Sequence, residues 1–251
     1  MDTRLRALIA LLVVGLFQAG PNQPPLFELR RSAVALAKAE GPALQAQSET
    51  RFRLTADRAG EIPFFIAEPE NGSGYRDGDA ELVVWALQEW EHRVGAIRFR
   101  PARDEASARL RIHWLPWAED AALGRMEPST DGGPPTASLE IRPDDTRFRP
   151  SVMRRVKVDP LMRDVVLYYV CLHEIGHALG LSHSDNPRDV MWPGTNRVTL
   201  PIYDRYRHHL MMRDDIPRVA WLSDHDVARV KALFASGTLP SHARTPRTPD
   251  R

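Results

Sequence analysis

The run His173-Glu174-Ile175-Gly176-His177-Ala178-Leu179-Gly180-Leu181-Ser182-His183 decides how the rest of this chain is read. It closes a stretch, residues 160–179, in which Leu161, Val165, Leu167, Tyr168, Leu172 and Ile175 recur at helical spacing and predict one long helix. His173 and His177 are four residues apart, so both imidazoles leave the same helical face and can share a metal ion. Glu174 lies about 100° round the helix from His173. That places it beside the ion, where a base acting on a water activated by the metal must stand. Gly180 lets the chain leave the helix through a left-handed backbone conformation, so that His183 can return as a third ligand. Three neutral imidazoles leave the fourth tetrahedral position open, the arrangement of a catalytic zinc site and not of a structural one. Five fixed positions of this kind arise by chance in roughly 10⁻⁵ to 10⁻⁴ of chains this long, so incidental core histidines are a poor account of the run.

Upstream, residues 61–69 (EIPFFIAEP) read as a strand and 71–74 (NGSG) as a loop. Over 79–92, Leu82, Val83, Leu87 and Trp90 fall at helical spacing, with Gly95 as the stop. Strands are predicted at 97–101 and 108–115, the second with Leu110 and Ile112 on one face and Arg111 and His113 on the other. A Gly/Pro-rich connection at 123–135 leads to a strand at 137–142. Strands preceding helices, with one early crossover helix, indicate an α/β or α+β sheet domain.

The string HExxHxxGxxH is the zinc signature of the metzincin metalloproteases, and HEIGHALGLSHS resembles their matrixin branch. Asp189-Val190-Met191-Trp192-Pro193 is similar to the matrixin Met-turn, which implies Met191 as an apolar floor under the imidazoles. Leu222-Ser223-Asp224-His225-Asp226-Val227 resembles the start of the family's C-terminal helix, and Ser223 and Asp224 suit its N-terminus on local grounds too. The resemblance covers roughly 58–235. It implies an α+β zincin domain: a twisted, mostly parallel sheet with an antiparallel edge strand, an active-site helix and a C-terminal helix. The edge strand, expected near 122–126, would take the substrate as an added strand. The metal set implied is His173, His177 and His183 around one Zn²⁺, with Glu174 as catalytic base.

Departures from the family pattern shape the expectation as much. Residues 116–144 contain no histidine, so no second zinc is carried over, and a structural Ca²⁺ is left open without support. Cys171 is the single cysteine; it excludes an internal disulfide framework, a multi-cysteine metal site and a thiol latency switch, and is expected in the core. Residues 194–221 form a longer link than usual between Met-turn and last helix. Ile202, Tyr203, Tyr206, Leu210 and Met211 predict an extra helix there, with His208 and His209 solvated. The family uses this stretch to wall a substrate pocket, so the insert either shapes substrate choice or packs as filler.

Arg4 and Arg6 before an apolar run at 7–17 have the layout of a secretory signal, cleaved or kept as an anchor. The expected location is extracytoplasmic: secreted, periplasmic or N-terminally membrane-anchored. The chain divides into that segment (1–20), a linker, prosegment or accessory helix (21–56, with 26–47 helix-prone), the catalytic domain (57–235) and a disordered tail (236–251). Thirty-four basic against 33 acidic residues give a net charge of +1, so no overall field recruits nucleic acid. All but Lys38, Lys157 and Lys231 of the basic residues are arginine, an imbalance that reads as coding bias. The expected function is a monomeric zinc endopeptidase acting on protein or peptide substrates. The alternatives are a zinc-retaining envelope protein that binds peptides without cleaving them, disfavoured by the intact Glu174, and a metal-free interaction module.

Overall fold

The computed structural model describes residues 52–235, apart from 58, 120, 131 and 194–198. The expected signal or anchor, the helix-prone stretch 26–47 and the tail 236–251 lie outside the described residues. Five strands form one sheet: β1 (Ile62–Ile66), β2 (Phe99–Pro101), β3 (Leu110–Trp114), β4 (Gly124–Ser129) and β5 (Thr136–Ile141). Their order is β2-β1-β3-β5-β4, parallel throughout except that β4 runs antiparallel to β5 along one edge. The mostly parallel sheet with an antiparallel edge strand is therefore present as expected. In β3, Leu110, Ile112 and Trp114 are buried and Arg111 and His113 are partly exposed, the alternation read from the sequence.

The sheet packs against α1 (Asp79–Val94) and α3 (Leu161–Ala178), which are joined where Trp90 Nε1 donates to the Leu172 carbonyl at 3.1 Å. Helix α3 is buried on nearly every side, as its high apolar content requires. The C-terminal helix α5 (Asp224–Ala235) starts as expected: Ser223 Oγ accepts the Asp226 N–H at 2.9 Å, an N-cap bond.

Three local differences have physical causes, and one expectation, the extra helix of the insert, is met. The 123–135 connection contains β4, the edge strand expected near 122–126 and found to run on to Ser129; its Pro128 is tolerated because the strand lies at an edge. Helix α2 (Pro150–Val158) was not expected; its signal is only Pro150 at the first position and Val152 and Val156 one turn apart, set among basic residues. The insert forms α4 (Thr199–Arg207), which buries Ile202, Tyr203 and Tyr206, and Leu210 is buried just beyond it. Met211, expected on the same apolar face, is 91% exposed. The helix has already ended, and the Asp215 carboxylate accepts the N–H groups of Met211 and Met212 at 2.9 and 3.0 Å, turning that backbone outward.

The first turn of α3 is locked to α1 by a charge pair that is 2% exposed on both sides. Arg163 Nη1 and Nη2 donate to the two Asp79 carboxylate oxygens at 2.6 and 2.8 Å, and Nη2 also reaches the carbonyls of Gly74 and Pro143. Removing one partner would leave an uncompensated buried charge. Arg163→Ala should therefore cost about 3–5 kcal/mol, read as a lowered urea midpoint, with a far smaller cost if Asp79 is made apolar as well.

Candidate metal centre

Helix α3 delivers two of the three histidines on its last turns and then stops in a specific way. The Leu181 N–H reaches the Gly176 carbonyl at 3.0 Å and the Gly180 N–H reaches the His177 carbonyl at 3.0 Å, with Gly180 at φ +99°. This is a Schellman ending, which needs a residue without Cβ at that position and turns the chain back on itself. The turn brings His183 to the other two: its Nε2 lies 3.3 Å from both His173 Nε2 and His177 Nε2. Among the described residues these three form the one group of histidine, cysteine or carboxylate side chains whose ligand atoms converge on a common point.

Their tautomers decide what such a cluster can hold. His173 Nδ1 donates to the Val190 carbonyl and His177 Nδ1 to the Leu181 carbonyl, each at 2.7 Å. Both rings therefore carry their proton on Nδ1 and present bare Nε2 lone pairs inward. Burial pushes His173 down to about 3. Burial lowers His177 and His183 as well, helped by the nearby Arg229 charge. Neutral nitrogens with inward lone pairs repel one another unless a cation lies between them. A tetrahedral zinc with bonds of 2.0–2.1 Å sets its ligand nitrogens about 3.3–3.4 Å apart. The two spacings to His183 and the donor set thus fit zinc.

Glu174, 7% exposed, lines a cavity of about 400 Å³ together with all three histidines. Burial pushes its carboxyl up to about 7, opposed by a hydrogen bond from the Met126 N–H of β4. A carboxyl so placed can both take and return a proton near neutral pH. Ala122, Gly124, Arg125 and Met126 form one wall of the cavity, and Ile202 and Tyr203 of the insert, with Trp192 and Pro193, another. Met191 is fully buried. It packs on α3 at Gly176, where an added Cβ would overlap Met191 Sδ and lie 3.2 Å from Trp90 Cζ2. Cys171 is buried in the core, as expected, and burial raises its thiol well above the usual range. His208 and His209 are exposed.

Several supporting groups were not anticipated. Tyr169, one turn before His173, donates its hydroxyl to the Val190 carbonyl at 3.1 Å, the same oxygen that orients His173. The Val190 N–H donates to Asp226 Oδ2 at 2.7 Å. Asp189 is buried and accepts from His225 Nδ1 (2.6 Å), Asn186 Nδ2 (2.8 Å), Ser223 Oγ (2.8 Å) and Ser184 Oγ. Burial would raise its carboxyl, but the bonds from Ser184, His225 and Ser223 outweigh that and hold it below the ordinary range. Asp189 and Asp226 both lie in the runs that carry the family resemblance, so the signal was present, but only the fold shows that they meet.

The sequence profile of the matrixin family matches residues 64–222, more than half of the chain. Macrophage metalloelastase of Rattus norvegicus is 30% identical over 83 residues, 33% of this chain and 14% of that protein. The chain therefore spans a small part of that relative's length. A direct test of the packing of Met191 on α3 is Gly176→Ala. It should cost about 1–3 kcal/mol of stability by overpacking, measured by thermal melting, and the loss should shrink when the same change is made in a Met191→Ala background.

Proposed function

The chain belongs to the matrixin family of zinc metalloproteases, and from that premise we propose that it is an endopeptidase that hydrolyses protein or peptide substrates with Glu174 as general base. The observation that carries the reading is the shared cavity: a buried carboxyl stands beside three convergent imidazole nitrogens, of which those of His173 and His177 present bare lone pairs. In this reading His173, His177 and His183 hold Zn²⁺. When bound, the ion supplies Lewis-acid polarisation of the substrate carbonyl and acidifies a water. Glu174 takes the proton of the attacking water and delivers it to the departing amine. The Met126 N–H keeps the Glu174 carboxylate turned toward the cleft between those two transfers.

Substrate placement follows from the sheet. β4 pairs with β5 on one side only, and the Met126 N–H on its other side points to Glu174, so its free edge faces the cleft. An extended peptide would add there through main-chain hydrogen bonds. Gly124 brings this edge close to the helix: a Cβ on it would lie 2.9 Å from Glu174 Oε1 and would overlap Val170. Ile202 and Tyr203 of the insert line the same cavity with Val170 as an apolar surface, so we assign the 194–221 insert a part in selecting an apolar substrate side chain. An extracytoplasmic location is part of the proposal and rests on the basic-then-apolar pattern at 4–17.

The full chain should retain stoichiometric zinc and cut an unfolded protein in a chelator-sensitive way. Glu174→Ala should keep the zinc and lose about 10²–10⁴-fold in kcat/KM, whereas His177→Ala should lose both zinc and cleavage. Zinc without cleavage in the parent would select the peptide-binding alternative, and absence of zinc would select the metal-free interaction module. Ile202→Ala should change the ranking of apolar side chains in a peptide library while zinc content stays at the parental level. An unchanged ranking would make the insert mere filler.

A further inference from the structure

Arg229 is an unusual residue to bury. It lies on α5 with its side chain 9% exposed, and a desolvated guanidinium is costly unless its donors are used. Its Nη2 donates to the Ser182 carbonyl at 2.8 Å and reaches Ser182 Oγ at 3.3 Å. Its Nη1 lies 4.0 Å from Asp226 Oδ1, one turn earlier on the same helix.

Ser182 occupies a sensitive place. The residue before it, Leu181, supplies the carbonyl that orients His177 Nδ1, and the residue after it is His183. Residues 181–184 have no regular secondary structure, so no helical or strand ladder fixes that carbonyl or the His183 ring. The segment is attached at its start by the Leu181 N–H to Gly176 and at its end by the Ser184 N–H to the Met191 carbonyl. Between those points a charged donor from α5 grips it. The same helix turn grips the opposite side of the centre, where Asp226 accepts the Val190 N–H and the Val190 carbonyl orients His173.

We infer that Arg229 is a positioning residue for the metal centre, holding the Ser182 carbonyl so that His183 Nε2 stays in register with His173 and His177. This rests on the reading that the three histidines hold zinc. The arginine fork suits the task because one guanidinium reaches a backbone carbonyl and faces Asp226 together, which a lysine ammonium does less well. Outer groups that orient metal ligands typically contribute 10–100-fold to metal affinity.

The test uses the full chain as parent, Arg229→Met and Arg229→Lys, with three readouts: zinc Kd by chelator competition, the visible spectrum of the cobalt-substituted protein, and melting of the zinc-free protein. The expected result for Arg229→Met is a zinc Kd raised about 10–100-fold, a changed cobalt spectrum, and a smaller zinc-induced rise in melting temperature. Arg229→Lys should fall between it and the parent. A merely structural arginine would lower the melting temperature with and without zinc alike and leave Kd and spectrum at parental values; that outcome overturns the inference. If Arg229→Met does not fold, Arg229→Lys decides alone, an intermediate Kd supporting the role and a parental Kd overturning it. A parent that binds no zinc would instead overturn the zinc reading itself, and the positioning role with it.

Discussion

Two bare imidazole lone pairs converging with a third ring nitrogen are an arrangement a polypeptide does not adopt unaided. The Nε2 lone pairs of His173 and His177 both face inward, and His183 Nε2 stands 3.3 Å from each of them. The arrangement exists because the opposite edges of two rings are tied to the backbone, His173 to Val190 and His177 to Leu181. Those carbonyls are in turn held from outside, by Tyr169 and Asp226 around Val190 and by Arg229 beside Leu181. Much of the domain around the cleft serves to keep a locally unfavourable geometry in readiness for a cation.

Close approach of elements follows from that demand. The Met191 segment must lie against α3 for its Val190 carbonyl to reach His173, and it can do so only because Gly176 presents no side chain to Met191 and Trp90. The tight stop at Gly180 serves the same end. A helix continuing past Leu179 would carry residue 183 round the axis and away from the face that bears His173 and His177. The sheet contributes on the other side, where the edge strand reaches Glu174 through a backbone N–H and not a side chain. The proposed base is thus positioned by an element whose free edge is also the proposed substrate track.

How much of this was legible beforehand depended on the range of the interaction. The helix carrying His173 and His177, its stop at Gly180 and the return of His183 all arise within eleven residues, and the sequence alone predicts them. Alternation in β3 and the helical period of α1 were equally local. The antiparallel strand at 124–129 was hidden from the residue pattern by Gly and Pro, which an edge strand tolerates, and only the family resemblance placed a strand there, near 122–126; α2 was hidden by its basic surroundings. Asp226, Asp189 and Arg229 could not be assigned at all. Each is separated by 34 to 47 residues from at least one group it serves, and a buried carboxylate or guanidinium looks on paper like any surface charge.

The arginine surplus, read from composition as coding bias, has a structural use. With one cysteine, the chain cannot staple distant segments covalently. Arginine forks do a comparable job by reaching backbone carbonyls far away in sequence: Arg93 to Leu222, Arg109 to Thr55, Arg163 to Gly74 and Pro143, Arg213 to Gly78, Arg229 to Ser182. A lysine offers a point charge with three donors, whereas a guanidinium can grip a carbonyl and a carboxylate with separate nitrogens, as Arg163 and Arg93 do. Such a fork is directional, so it fixes where a loop lies as well as that it is attached. That difference matters most where a ligand loop has no ladder of its own, and it is there that the chain buries Arg229.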